Sequence, residues 1–426
     1  MLKIYIVTTG CSINRALGEI LKQKISDIFD LVESPAYADI VILNLCAVKK
    51  PTEDRGIAIA KKLLDRGKKI IITGCLAESS TKRIIRQLPN ANIVGIEHML
   101  TSDLLHIVNR IFRGQKLIKT GMPSTIAYPS ERILENRLIG IVPIAFGCIN
   151  NCTYCIDRAI WGLIKSIPID NIIREVRRLI RLGVKEIRLT AHDTAAYGID
   201  KNYTLVNLLE KILEIDGHYR IRIGMASPNT FRKISDEILD LIRNEERIYN
   251  FVHIPLQSGS NRILELMNRP YTVEEYVDLF KKARKKLGQD STIATDIITA
   301  FPTETEDDHQ QTIKILTELK PDFTNISRYG DRPGRPATQL RPKIHSKIAK
   351  RRTKEIFEIV KKISYERNKR YLGQRLLTLF LDKKDRYTGR TNSNRLFYTE
   401  DPVELGTFKY VKIEYITWKS LYGHID

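Results

Sequence analysis

Six cysteines are the residues of this sequence whose types and spacing could do chemistry. Three of them, Cys148, Cys152 and Cys155, form a C-x3-C-x2-C loop directly after the apolar run IVPIAFG. Three thiolates on one tight loop can hold three irons of a cubane 4Fe–4S cluster and leave the fourth iron without a protein ligand. A vacant metal position of this kind can bind a chelating cofactor, as catalytic metal sites do.

A structural zinc site is the alternative for this loop. Structural zinc is closed by a fourth Cys or His, usually at a matching spacing. The nearest histidine is His192, which would have to come from a different strand. The spacing therefore favours an iron–sulfur cluster over zinc.

The other three cysteines are far apart in the sequence, yet each follows a predicted strand. Cys11 follows KIYIVTTG, Cys46 closes ADIVILNL and Cys75 follows KIIITG. In a parallel sheet these strand ends lie along one edge, where such folds bind ligands. We therefore predict a second thiolate-bound cluster, also with an open iron. Three buried structural cysteines are the alternative.

Alternating strands and helices must position both sets of thiols. Residues 1–125 predict an α/β domain with a doubly wound parallel sheet, with helices over 53–66 and 79–88 and a boundary loop at Gly121, Pro123 and Pro129. Residues 138–340 repeat the strand–helix pattern at least five times. This pattern predicts a partial (β/α) barrel whose active groups lie at the carboxyl ends of its strands.

The C-terminal part changes character twice. Residues 341–371 predict a basic linker helix, and residues 372–426 alternate with period two, as in a small antiparallel β-barrel. The chain has a net charge of +20, and residues 341–375 contain 13 basic and three acidic residues. Such a concentration of charge favours a polyanionic partner.

Polar side chains at the predicted strand ends and in the C-terminal barrel are further candidates. For the cofactor we select Tyr154, His192, Asp193, Gln257 and Asp296. A hydrogen-bonded network around the barrel mouth is the alternative for these residues. For RNA we select Arg390, Arg395 and Tyr398, because rings interleaved with cations suit single-stranded RNA. The chain has neither a Walker-type phosphate loop nor a G-x-G-x-x-G motif, so ATP hydrolysis and Rossmann dinucleotide binding are not supported.

Several local motifs give the chain a family resemblance. They are Cys46–Lys49 with Pro51, Glu53 and Asp54; Leu189–Thr194 with Ala196–Gly198; His253–Ser258; and Ala294–Ile298. With the six cysteines in order, the chain resembles the radical SAM methylthiotransferases over nearly its whole length. It looks most like the archaeal and eukaryotic branch that acts on N6-threonylcarbamoyladenosine beside the tRNA anticodon. It departs from the family pattern at Thr9, Glu78, His192 and Ala300.

The resemblance implies two 4Fe–4S clusters and S-adenosylmethionine (SAM), chelated by the open iron of the Cys148/Cys152/Cys155 cluster. Reductive cleavage of SAM would give a 5′-deoxyadenosyl radical that removes hydrogen from C2 of the adenine, chemistry that a cofactor must supply. The Cys11/Cys46/Cys75 cluster would hold the sulfur that is methylated and delivered to C2. A TRAM-like barrel and the basic helix would grip the tRNA.

The expected partners and setting follow from the same interpretation. We expect a tRNA substrate, a one-electron reductant and a sulfur donor, and a monomeric cytoplasmic protein without a membrane segment. Methylthiolation of isopentenyladenosine in tRNA is the first alternative, followed by that of an aspartate in a ribosomal protein, which the basic C-terminal region disfavours. A non-catalytic RNA-binding protein with structural cysteines is the alternative from another class.

Overall fold

The computed structural model describes residues 1–121 and 131–426. The predicted domain boundary at residue 125 and the boundary-loop residues Pro123 and Pro129 lie outside these ranges. The four domain ranges therefore stay predictions, although the elements inside them can be compared directly.

The N-terminal region is a six-stranded, wholly parallel sheet with the strand order β2-β1-β3-β4-β5-β6. Its strands are β1 (Lys3–Thr8), β2 (Asp30–Leu31), β3 (Ile40–Asn44), β4 (Lys69–Thr73), β5 (Asn92–Val94) and β6 (Ile118–Lys119). Its helices are α1 (Ser12–Ser26), α2 (Lys50–Asp65), α3 (Cys75–Ser79), α4 (Thr81–Gln87), α5 (Ile96–Met99) and α6 (Leu104–Phe112), with a 3-10 turn at Pro35–Tyr37. The winding reverses between β1 and β3, and a ligand crevice forms at such a reversal in open α/β sheets.

The central region is the predicted partial barrel. Two three-stranded parallel sheets, β7-β10-β11 and β12-β13-β14, are joined by a single parallel bridge between Ile221 and Ile248. The strands are β7 (Ile139–Pro143), β10 (Glu186–Thr190), β11 (Arg220–Ile223), β12 (Phe251–His253), β13 (Thr292–Thr299) and β14 (Phe323–Arg328), with a hairpin of β8 (Ala145–Phe146) and β9 (Lys165–Ser166).

Helices cover the outside of this barrel and bury the apolar faces that the sequence predicts. Ile172, Val176 and Leu179 on one of them are fully buried. The helices are α7 (Asp157–Trp161), α8 (Ile169–Arg181), α9 (Leu205–Leu213), α10 (Pro228–Asn244), α11 (Asn261–Leu266), α12 (Val273–Leu287) and α13 (Glu306–Leu319), with 3-10 turns at Thr194–Ala196 and Pro336–Thr338.

The C-terminal region consists of the basic helix α14 (Ser346–Lys369) and a closed five-stranded barrel. The barrel strands are β15 (Arg375–Lys383), β16 (Tyr387–Thr391), β17 (Leu396–Thr399), β18 (Phe408–Ile416) and β19 (Ser420–Ile425). The predicted barrel is confirmed, but one of its pairings is not antiparallel. Strand β19 pairs in parallel with β17, because β18 lies on the other side of β19 in the order β15-β16-β17-β19-β18.

A buried ion-pair network connects the sheet to the barrel. The guanidinium of Arg132 lies 2.5 Å from Glu175 on α8 and 3.5 Å from Glu19 on α1, and all three side chains are buried. Breaking one member of such a network leaves an uncompensated buried charge. This network ties α1 of the N-terminal sheet to α8 of the barrel.

Candidate active site: two thiol triads beside one cavity

The first triad, Cys11, Cys46 and Cys75, assembles at the carboxyl edge of the N-terminal sheet. Cys11 is the N-cap of α1, Cys46 lies two residues after β3, and Cys75 is the first residue of α3. The backbone N–H of Val48 donates to the sulfur of Cys46 at 3.5 Å. Three cysteines separated by up to 64 positions therefore meet because parallel strands end at one edge.

Gly10 permits this approach of the loops. It has a φ of +110°, and a Cβ added there would lie 2.1 Å from the Cβ and 2.7 Å from the Sγ of Cys46. A side chain at position 10 would therefore collide with Cys46 and push it away from Cys11.

Substituting Gly10→Ala should therefore disrupt the first triad. We expect anaerobically purified variant protein to lose up to about half of its iron, because one of two clusters loses its site. Gly67→Ala is the matched control, since Gly67 also has a positive φ but no atom lies within 4 Å of an added Cβ. Iron content is measured by mass spectrometry of the metal. Equal iron in the Gly10 and Gly67 variants would contradict the assignment.

The electrostatics of the first triad fit a metal cluster. The thiol of Cys11 donates a hydrogen bond to Cys46, which raises the pKa of Cys11 well above its usual range and lowers the pKa of Cys46 to about 6. Burial, followed by the charges of Cys46 and Asp157, raises the pKa of Cys75 well above its usual range. Cys11 and Cys75 resist ionisation by themselves, so all three sulfurs would bind as thiolates only beside a positive centre, which an iron core would supply.

The second triad, Cys148, Cys152 and Cys155, lies on the loop after β8. Thr153 anchors this loop: its N–H donates to the carbonyl of Met267 at 3.0 Å and its hydroxyl to that of Leu266 at 2.7 Å. Burial, followed by the charge of Asp193, raises the pKa of Cys148 to about 12. Arg269 donates to the sulfur of Cys152 at 3.0 Å and so offsets part of the negative charge that three thiolates would carry.

The spacing of the thiols argues against a single ion at either triad. A single metal ion needs three or more ligand atoms (His nitrogen, Cys sulfur or carboxylate oxygen) close to one another. In the described ranges, the only three residues whose ligand atoms all lie within 4.8 Å of one another are Glu306, His309 and Glu355. Sulfurs around one tetrahedral zinc lie about 3.8 Å apart, given Zn–S bonds of about 2.3 Å. Both triads are therefore wider than a zinc site and suit a larger cluster. The Glu306 group is already neutralised by Arg351 and Arg352.

A cavity of about 1220 Å3 opens beside the second triad and reaches the first triad's loop. From the second loop it is lined by Cys148, Asn150, Cys152, Tyr154, Cys155 and Asp157. From the segment after Cys46 it is lined by Val48, Lys49, Lys50 and Pro51. The wall opposite contains Arg328 at the end of β14 and Lys350, Thr353, Lys354 and Phe357 of α14. One cavity therefore adjoins both thiol loops and the basic helix.

Four of the five predicted cofactor residues line this cavity: Tyr154, His192, Gln257 and Asp296. Gln257 has a φ of +74°, a strained conformation typical of functional positions. Asp296 accepts hydrogen bonds from His253 at 2.9 Å and Asn325 at 2.7 Å. His192 contributes a buried Nδ1 that has no hydrogen-bond partner among the described residues, so this atom could bond to a bound cofactor.

Asp193 is the exception, since it does not line the cavity. Its carboxylate is buried behind the wall, where it accepts from the N–H of Ser227 at 3.0 Å, the hydroxyl of Thr230 at 2.9 Å and the amide of Asn150 at 3.3 Å. It therefore positions Ser227 and Asn150, which do line the cavity. The position of Asp193 after a strand correctly predicted that it lies at the carboxyl end of the barrel. It did not predict that the side chain faces away from the cavity. The sequence interpretation missed Asn150, Ser227, Arg269 and the lysines of α14.

The three residues of the C-terminal barrel that were selected as RNA contacts differ in their exposure to solvent. Arg395 is buried and directs a guanidinium nitrogen to the carbonyl of Asp322 at 3.5 Å, so it serves packing and does not face RNA. Arg390 is turned toward the buried Glu186 of β10, at 3.7 Å. Tyr398 stacks on Tyr422 with ring centroids 5.4 Å apart and stays partly exposed. The selection of Arg395 is therefore corrected, whereas Arg390 and Tyr398, which are both partly exposed, stay candidates.

Comparisons with known proteins agree with this geometry. The profile described as "Radical SAM superfamily" matches residues 142–316, and the profile described as "Uncharacterized protein family UPF0004" matches residues 3–95. A "Probable threonylcarbamoyladenosine tRNA methylthiotransferase" of Pyrococcus horikoshii is 38% identical over 89% of this chain and 88% of that protein. A protein of the same name from Archaeoglobus fulgidus is 36% identical over 100% of this chain and 99% of that protein.

A second group of relatives carries a different name. A "tRNA-2-methylthio-N(6)-dimethylallyladenosine synthase" of Petrotoga mobilis is 32% identical over 100% of this chain and 99% of that protein. Among solved structures, the radical S-adenosylmethionine methyltransferase TsrM from Kitasatospora setae has a TM-score of 0.56 at 12% identity, covering 79% of this chain and 77% of that one. The similarity to TsrM concerns the fold alone.

The barrel, the three-thiol loop at its mouth and the matching profile define the protein as a radical SAM enzyme, a class that works with a 4Fe–4S cluster and SAM. Within that class, the sequence identity to the named methylthiotransferases over nearly the whole chain assigns the protein to a family. The chain belongs to the radical SAM methylthiotransferase family. Separately, in the parts of the chain that the structure describes, no helix is long and apolar enough to cross a membrane.

Proposed function

We propose that this protein attaches a methylthio group to C2 of N6-threonylcarbamoyladenosine in tRNA, next to the anticodon. The observation that carries the proposal is the single cavity that adjoins both thiol loops. A sulfur atom held at the first triad and a reactive carbon generated at the second could meet there without leaving the protein. The names of the relatives support the same reaction.

The cofactors would supply the chemistry that no side chain can supply. Bound at Cys148, Cys152 and Cys155, a 4Fe–4S cluster with SAM would provide a radical able to remove the hydrogen atom from an unactivated aromatic C–H bond. The chain's own residues hold and shield the reactants. Tyr154, Gln257 and Asp296 line the cavity where SAM would lie, and Phe357 contributes an apolar surface to the opposite wall.

The charges in the cavity favour the threonylcarbamoyl substrate. Lys350 and Lys354 lie one helical turn apart on α14, and Arg328 lies at the end of β14. Among the described residues none of the three forms a salt bridge, whereas Arg351 and Arg352 between them pair with acids of the barrel. The threonyl group carries a carboxylate that such cations can bind, and a dimethylallyl group carries no charge.

Methylthiolation of a dimethylallyl- or isopentenyl-substituted adenosine is the second candidate function. The relatives of the Petrotoga type support it, at somewhat lower identity than the threonylcarbamoyl group of relatives. An uncharged substituent would leave Arg328, Lys350 and Lys354 without a ligand in the cavity. We therefore rank this function second.

The remaining partners belong to the same proposal. We propose that tRNA is gripped by α14 and by the ring cluster of Tyr398, Tyr415 and Tyr422, because Tyr415 is exposed and aromatic faces stack on unpaired bases. A one-electron reductant and a sulfur donor are required by the reaction. We propose a monomer that acts in the cytoplasm, where tRNA is modified.

Analysis of tRNA nucleosides from a deletion strain tests the substrate. We expect loss of the methylthio form of threonylcarbamoyladenosine, accumulation of the unmethylthiolated nucleoside, and restoration by the wild-type gene. The readout is liquid chromatography with mass spectrometry. Loss of a methylthio-isopentenyl nucleoside instead would select the second candidate, and an unchanged profile would contradict both.

A further inference from the structure

Trp161 belongs to the loop of the second triad but contacts the site of the first. It is the last residue of α7, which begins two residues after Cys155 and packs against α3, the helix that starts with Cys75. The indole is 2% exposed. It stacks on Phe146 with centroids 5.4 Å apart and lies 5.9 Å from the ring of His192, so its orientation is fixed from two sides.

The indole N–H of Trp161 has no conventional hydrogen-bond partner among the described residues, although it is buried. Leaving such a buried donor unsatisfied is unfavourable. Helix α7, which ends at Trp161, packs against α3, whose first residue is Cys75, so the acceptor that this packing offers to the indole N–H is the sulfur of Cys75. In agreement with this arrangement, Trp161 lowers the pKa of the Cys75 thiol against the larger rise that burial causes. A sulfur that ligates a metal cluster is a better acceptor than a thiol, because it carries negative charge.

We propose that Trp161 donates its indole N–H to the sulfur of Cys75 and thereby raises the reduction potential of the cluster at Cys11, Cys46 and Cys75. Hydrogen bonds to cluster sulfurs stabilise the reduced, more negative state and so shift the potential upward. Trp161 is in this sense a positioning residue, since it acts on the cluster through a ligand. The consequence is that the loop holding one cluster adjusts the redox properties of the other.

The proposal requires the first cluster but not the identity of the tRNA substrate. Its test uses full-length protein in which Cys148, Cys152 and Cys155 are all alanine, so that only the first cluster can form. In this background Trp161→Phe keeps an apolar ring and removes the N–H. The midpoint potential is measured by redox titration followed by electron paramagnetic resonance, together with iron and sulfide content.

We expect the Trp161→Phe protein to keep its iron and to show a more negative midpoint potential. Trp418→Phe is the matched control, because Trp418 packs against Phe357 far from α7 in the sequence, and its potential should not change. In the complementary Cys11/Cys46/Cys75→Ala background, Trp161→Phe should leave the second cluster's potential unchanged. An unchanged potential of the first cluster, or an equal shift of both clusters, would overturn the proposal.

A second variant covers the case in which Trp161→Phe fails to retain iron. Benzothienylalanine at position 161 preserves the size and shape of the bicyclic ring and replaces the N–H with sulfur. A lowered potential with full iron content would support the proposal. A wild-type potential in this isostere would overturn it, because the ring without its donor would then be sufficient.

Discussion

Replacing Cys148, Cys152 and Cys155 together with alanine should halve the iron of the purified protein, from about eight to about four irons per chain, and abolish methylthiolation. The remaining iron belongs to the first triad, whose three cysteines follow β1, β3 and β4 of the N-terminal sheet and are not among the residues replaced. SAM cleavage should also disappear, because the cluster with the open iron that binds SAM is lost. Iron analysis and detection of 5′-deoxyadenosine measure the two effects.

The matching substitution of Cys11, Cys46 and Cys75 is the control. It should also remove about four irons and abolish the methylthio product, but SAM cleavage by the second cluster should persist. This result would show that the second triad is sufficient for SAM cleavage, whereas the methylthio product also requires the first triad. One zinc per chain in the wild type, or iron unaffected by either set of substitutions, would contradict the account.

Replacing Lys350 and Lys354 with glutamine should remove the preference of the protein for threonylcarbamoyl-modified RNA. We expect affinity for a modified anticodon stem-loop to fall about tenfold, the low end of the range for charge-assisted contacts, since both lysines are exposed to solvent. Affinity for the same stem-loop with unmodified adenosine should change much less. Equilibrium binding with both RNAs measures the difference and requires no turnover.

Replacing Lys361 and Lys362 together with glutamine is the control for this pair, because it removes the same two charges from exposed positions about two turns further along α14. A fall in affinity that is equal for both RNAs would mean that Lys350 and Lys354 bind phosphates and not the threonyl carboxylate. A wild-type protein without any preference for the modified RNA would instead contradict the proposed substrate.

Local sequence was sufficient to predict the alternation of strands and helices and the position of the thiols, although the helix predicted over 79–88 is two short helices, Cys75–Ser79 and Thr81–Gln87. The alternation of short Ile- and Val-rich runs with helical segments predicts parallel strands, and Cys11 and Cys46 follow two strands that are adjacent in the sheet. Their convergence then follows from topology alone. The second triad could be predicted without knowledge of the tertiary structure, because its three cysteines lie within eight consecutive residues.

Other features depend on contacts that no local pattern contains. Arg395 lies in a stretch of aromatic and basic residues typical of RNA-binding proteins. It is nevertheless buried against Asp322, which Arg367 and Arg370 also contact. Asp193 lies three residues beyond the end of β10, close to where the sequence predicts, yet its side chain is buried behind the cavity wall. The packing of the helix that ends at Trp161 on the helix that begins at Cys75 joins residues 86 positions apart in the sequence. These positions are fixed by tertiary packing, which overrides the local signal.

Transfer of deuterium from the substrate to the cofactor product tests the central claim most directly. The reconstituted protein is incubated with a chemical one-electron reductant, sulfide as the sulfur source, SAM and a threonylcarbamoyl-modified stem-loop that carries deuterium at C2 of the modified adenine. We predict 5′-deoxyadenosine containing one deuterium, formed together with the 2-methylthio nucleoside. A methylthio product accompanied only by unlabelled 5′-deoxyadenosine would contradict an account in which both thiol triads serve one cavity and one carbon atom.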